Sequence, residues 1–115
     1  MNFPIQSPAR GRVFIDGGGS ATAFAGVAGS RWVLTQGFVA WQNVIASVTF
    51  ALYEINDSQS NAFIQLVMST TGGFCNFDMG DVGNQASTTG TRLIVNTGSV
   101  VGTFTGIFAG YYTGS

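Results

Sequence analysis

Asp78 and Asp81 stand three positions apart in Asp78-Met79-Gly80-Asp81, close enough in sequence for two carboxylates to share the acid and base roles of glycoside hydrolysis. Both fall in a glycine-containing stretch, where aspartate is an ordinary turn residue. With Asn84 the same stretch offers three oxygen ligands for calcium, but without the dense acidic alternation of an EF-hand loop. Histidine is absent, and the four basic residues are all arginines: Arg10, Arg12, Arg31 and Arg92. A serine or cysteine nucleophile would therefore lack the His or Lys base that activates it. The single cysteine, Cys75, cannot close an intramolecular disulfide and reads as a buried, inert thiol between Phe74 and Phe77. Gly17-Gly18-Gly19 reads as a hairpin turn, since neither a GKS/GKT sequence nor a helix start follows it. The expectation is a protein without catalytic residues, metal or cofactor.

Binding remains. Arg10-Gly11-Arg12 is the one basic cluster, and a net charge of −1 without lysine is a poor match to the phosphates of a nucleic acid. The two arginines suit carboxylates on another protein surface. Trp32, Trp41 and Tyr53 could form a platform for sugars, or else anchor the rim of a β-sandwich. Charged residues make up 8% of the chain, against about 25% in an ordinary soluble domain, while 45% of residues are hydrophobic. A monomer of that composition exposes considerable apolar area, which points to self-association. The amino terminus lacks the basic start and apolar run of a signal peptide, and no stretch has the length of a membrane helix, so neither secretion nor membrane insertion is expected.

The elements that would position these residues are short strands. Residues 1 to 11 carry both prolines and read as an extended arm, with Phe3, Pro4, Ile5, Pro8, Arg10 and Arg12 as its docking residues. Residues 12 to 115 form one domain. Strands are expected over Arg12 to Asp16, Ser20 to Ala28, Arg31 to Trp41 with Gly37 as a bulge or bend, Val44 to Glu54, Asn61 to Ser69, Phe74 to Phe77, Thr91 to Thr97 and Val100 to Thr113. The fourth and fifth form the clearest hairpin. No segment carries a helical period with caps, and eight such strands define an all-β, antiparallel sandwich of the jelly-roll kind.

The final strand is apolar on both sides. Gly102, Phe104, Gly106, Phe108, Gly110 and Tyr112 share one face, and Val101, Thr103, Thr105, Ile107 and Ala109 the other. A core can cover only one of them, so the glycine-aromatic face is expected to be an oligomer interface, its glycines letting another chain approach closely.

The order of features in the second half is similar to that of small jelly-roll virion proteins of tailed bacteriophages. The resemblance lies in the hairpin of residues 44 to 69, Thr71-Gly72-Gly73, Phe74-Cys75-Asn76-Phe77, the polar loop, Leu93-Ile94-Val95-Asn96-Thr97, and Val101-Gly102-Thr103-Phe104-Thr105-Gly106 followed by Tyr111-Tyr112. It spans about residues 30 to 113. It implies a capsid decoration (cement) protein, commonly a homotrimer, that is made in the host cytoplasm and binds the major capsid protein on the outer surface of the virion. In such proteins the short strand after the glycine turn often leads into a proline, whereas here Phe77 is followed by Asp78-Met79-Gly80. The alternative is a carbohydrate- or receptor-binding β-sandwich such as a fibre tip.

Overall fold

The computed structural model describes residues 7–44, 48–55, 62–68, 71–80, 82–98 and 102–114. These form nine strands: β1 (Ser7–Asp16), β2 (Gly19–Phe24), β3 (Ser30–Val44), β4 (Val48–Ile55), β5 (Ala62–Met68), β6 (Thr71–Asp78), β7 (Asn84–Gln85), β8 (Arg92–Gly98) and β9 (Thr103–Gly114). The larger sheet runs β1-β9-β3-β6, with β7 also paired to β3, and the smaller runs β2-β8-β4-β5. Every pairing is antiparallel. With successive strands wound between the two sheets in this order, the architecture is a jelly-roll β-sandwich. No helix among the described residues is long and apolar enough to cross a membrane.

Alternation explains the inward faces. In β1, Ala9, Gly11, Val13 and Ile15 are buried while Arg10, Arg12, Phe14 and Asp16 are exposed, the period-two pattern of a sheet with one covered side. Leu93 and Val95 of β8, Leu52 of β4 and Phe24 of β2 meet Val13, Val39, Trp41, Phe104 and Phe108 from the larger sheet in one core. The chain passes between the sheets through Gly17 and Gly18, at φ 81° and 90°, and the Gly17 amide donates to the Gly102 carbonyl at 2.8 Å.

Strand β3 changes phase midway. Trp32 and Leu34 point into the core, yet beyond them the inward residues are Gly37, Val39 and Trp41. The shift is a bulge between Leu34 and Gln36. It is held at Thr35, whose hydroxyl donates to the Ala109 carbonyl at 3.1 Å and whose own carbonyl accepts from the Met79 amide at 2.7 Å. Gly37, the expected bulge, stays in register between Phe108 and Phe77. It is glycine because a Cβ there would lie 2.4 Å from the Phe77 ring and 2.9 Å from that of Phe108.

Several boundaries differ from expectation: β2 ends at Phe24, short of Ala28, β6 begins at Thr71, before Phe74, and β7 lies where no strand was expected. Val44 ends β3 in the larger sheet, paired with Thr71, and does not begin the next strand. The first strand starts at Ser7, so Pro8, Ala9, Arg10 and Gly11 belong to the sheet, opposite Tyr111, Gly110, Ala109 and Phe108. The arm expected over 1–11 is shortened accordingly, and Phe3, Pro4 and Ile5 lie outside the described residues. Proline is tolerated in β1 because an edge strand has one unpaired side. The β4–β5 hairpin pairs as expected, from Val48 opposite Met68 to Leu52 opposite Ile64.

Candidate functional site: the outer face of the larger sheet

The face expected to bind another chain is the interior. Phe104 is 2% exposed and Phe108 fully buried. The gaps left by the intervening glycines are filled from within: a Cβ on Gly106 would stand 2.7 Å from the Phe108 ring and 3.2 Å from that of Phe104, while one on Gly110 would run into the Val33 carbonyl oxygen. Gly102 is half-buried, and a Cβ there would meet the Gln42 carbonyl oxygen at 2.8 Å. Tyr112, half-buried at the end of this row, packs on Phe24 with ring centroids 6.5 Å apart. Its hydroxyl donates to the Ala25 carbonyl at 2.9 Å, and burial pushes its pKa above the ordinary tyrosine value. These six residues therefore knit the sandwich together.

The opposite side of the same sheet is open. Register places Phe14, Thr105, Ala40 and Phe74 in one row across β1, β9, β3 and β6. Arg12, Ile107, Phe38 and Asn76 form the next, and Arg10, Ala109, Gln36 and Asp78 a third. Phe74 is 74% exposed, Phe14 65%, Ile107 46% and Phe38 39%. Phe38 and Phe74 stack, with centroids 6.1 Å apart and planes at 27°. Beside them is a shallow depression of about 570 Å³ between Phe38, Ile107 and Ala109 and the rim residues Asn76 and Asp78. Arg10 and Arg12 flank the apolar strip on edge strand β1, and Asp78 flanks it on edge strand β6. Large apolar side chains clustered on a face with a charged margin are the composition of a protein contact surface.

Among the described residues, neither set weighed for chemistry is brought together as a reactive centre. The Asp78 carboxylate accepts from the Gly80 amide at 2.8 Å, an aspartate-stabilised turn, and Asp81 lies outside the described residues. Among the described residues no cluster of three metal-ligating side chains occurs. Trp32, Trp41 and Tyr53 are 1%, 8% and 2% exposed, which removes them as a sugar platform. Cys75 is half-buried at the margin of the core, its thiol 3.7 Å from the Asn76 carbonyl oxygen. One further polar contact ties the sandwich to its longest described loop: Glu54 accepts from the Ser87 amide at 2.9 Å and from the Ser87 hydroxyl at 2.6 Å.

Phe14, Phe38, Phe74 and Ile107 were not singled out by composition or motif. In β1 the signal was present, since Arg10, Arg12 and Phe14 alternate with four small or aliphatic residues. In β3 the bulge at Thr35 hides it.

The site thus defines a class, a jelly-roll β-sandwich with an exposed apolar face on its larger sheet and no assembled reactive centre among its described residues. No family model and no curated protein matches the chain. Among solved structures, a subunit from Bacillus endospore appendages, a family of disulfide-linked pili, is 14% identical with a TM-score of 0.51, covering 96% of this chain and 92% of that one. A chain of the cyanophage Pam1 capsid asymmetric unit is 10% identical with a TM-score of 0.46, covering 96% and 88% respectively. The pilus subunit shares the fold.

Proposed function

We propose that this chain is a non-enzymatic structural virion protein that binds the outer surface of the major capsid lattice as an oligomer and stabilises it. The observation that carries the reading is the exposed apolar strip of Phe14, Phe38, Phe74 and Ile107 on an otherwise complete sandwich. A folded domain gains nothing from holding four large apolar side chains in water, whereas an assembling subunit buries them. The resemblance of residues 30 to 113 to phage decoration proteins supplies the lattice. Phe3, Pro4 and Ile5, which precede β1 in the sequence, are the apolar anchors for the shell, and Arg10 and Arg12 supply charge-assisted bonds to its carboxylates or to a neighbouring subunit.

Co-sedimentation with empty capsids built from the major capsid protein of the same virion tests this. Saturable binding, with a rise in the capsid's melting temperature, is the expected result. Absence of binding at any ionic strength would overturn the virion role.

A further inference from the structure

The two edges of the exposed face carry opposite charge at one matching height. Arg10 on β1 and Asp78 on β6 occupy the same row, separated by Ala109 and Gln36; Arg12 and Asn76 occupy the next, separated by Ile107 and Phe38. Three strand spacings, about 14 Å, keep the members of each pair apart within one chain. A twofold axis parallel to the strands, over the seam between β9 and β3, reverses the strand order and preserves the rows. It sets Arg10 of one copy over Asp78 of the other, Arg12 over Asn76, Phe14 over Phe74 and Ile107 over Phe38, each twice. The face is complementary to itself.

We propose that a second copy of this chain occupies the face, in an isologous twofold dimer with the two larger sheets stacked. This rests on the reading of the protein as an assembling subunit and replaces the trimer implied by the resemblance. Stacked sheets keep their strands within about 30° of each other, which the proposed axis satisfies. Four strands by three rows give a footprint of about 19 by 20 Å, roughly 400 Å² per partner, below the ~800 Å² of a standard interface. The dimer is accordingly concentration-dependent, and the charge pairs at its margins fix its register more than its strength.

The test is sedimentation velocity of the full chain without capsids, over a concentration series and with circular dichroism to verify folding. The wild type should pass from one chain of 12.0 kDa to two. Ile107→Glu, at the centre of the face and half exposed in the monomer, should remain a monomer. Arg10→Glu should weaken the dimer about tenfold by turning two marginal pairs repulsive, and adding Asp78→Arg should restore it. Because Asp78 also holds the turn at Gly80, Asn76→Asp provides an independent variant: it gives Arg12 a carboxylate that only another copy can offer, and should tighten the dimer. A wild type that stays at one chain up to about 1 mM, a mass of three chains, or an Asn76→Asp variant no tighter than wild type would each overturn the proposal. Capsid binding is scored separately, so a dimer that ignores capsids refutes the virion role alone, and a capsid-binding monomer refutes the dimer alone.

Discussion

Placing an alanine at Gly106 tests whether the glycine-aromatic side of β9 is the interior. The added Cβ would meet the Phe108 ring at 2.7 and 3.0 Å and the Phe104 ring at 3.2 Å, so two buried rings must move. Overpacking of this kind costs about 1–3 kcal/mol, and the loss of unfolded-state freedom on replacing glycine returns about 0.4–1 kcal/mol. The net is a destabilisation of about 1–2 kcal/mol, or a fall in Tm of roughly 5–10 °C for a domain of this size. At Gly110 the obstacle is the Val33 carbonyl, backbone that cannot rotate aside, and the loss should be larger. At exposed Gly114 nothing lies within 4 Å, and alanine should be neutral within about 0.5 kcal/mol. Urea denaturation followed by tryptophan fluorescence, with the slope held constant across variants, measures all three. An unchanged midpoint for Gly106→Ala, or one as neutral at Gly110 as at Gly114, would refute the interior assignment.

Tyr112→Phe should cost about 0.5–1 kcal/mol at neutral pH by removing the hydrogen bond to Ala25. Because burial raises the folded-state pKa of Tyr112, the unfolded chain releases its proton first. The corresponding stability is complete below the unfolded pKa near 10 and is lost as pH rises through the folded value, so alkaline denaturation curves of the two proteins should converge. Glu54→Gln should leave the unfolding free energy within about 1 kcal/mol of wild type while accelerating amide exchange at Ser87; unchanged exchange would show that the Glu54 contact does not hold the loop. Phe108→Ala should cost about 3–5 kcal/mol in chemical denaturation, and a loss under 1 kcal/mol would contradict its place in the core.

Fold class was legible because a two-residue period is a local property. The burial of Val13 and Ile15 between Arg12, Phe14 and Asp16 follows from β1 alone, as does the β4–β5 hairpin from its flanking turn residues. Sidedness was legible only where polarity differs between faces. Both sides of β9 are apolar, and glycine there has two physical readings, a recess for a partner or a recess for the chain's own ring; Gly106 takes the second. The phase of β3 depended on whether a residue was extruded from the ladder, and Thr35, unlike glycine, gives no composition cue. The edge position of β1, which lets Pro8 join the sheet, depends on β9, nearly a hundred residues away.

The extruded residue at Thr35 makes β3 count residues as well as choose them. Substituting Thr35 would cost a hydrogen bond to Ala109. Deleting it would instead close the bulge: Leu34 would be followed directly by Gln36, so Gln36, Phe38 and Ala40 would keep to the outer face and Val39 and Trp41 to the core. The outer face and the core are thus two outputs of one spacing, and the bulge is a spare residue in that spacing, one whose loss leaves both in phase.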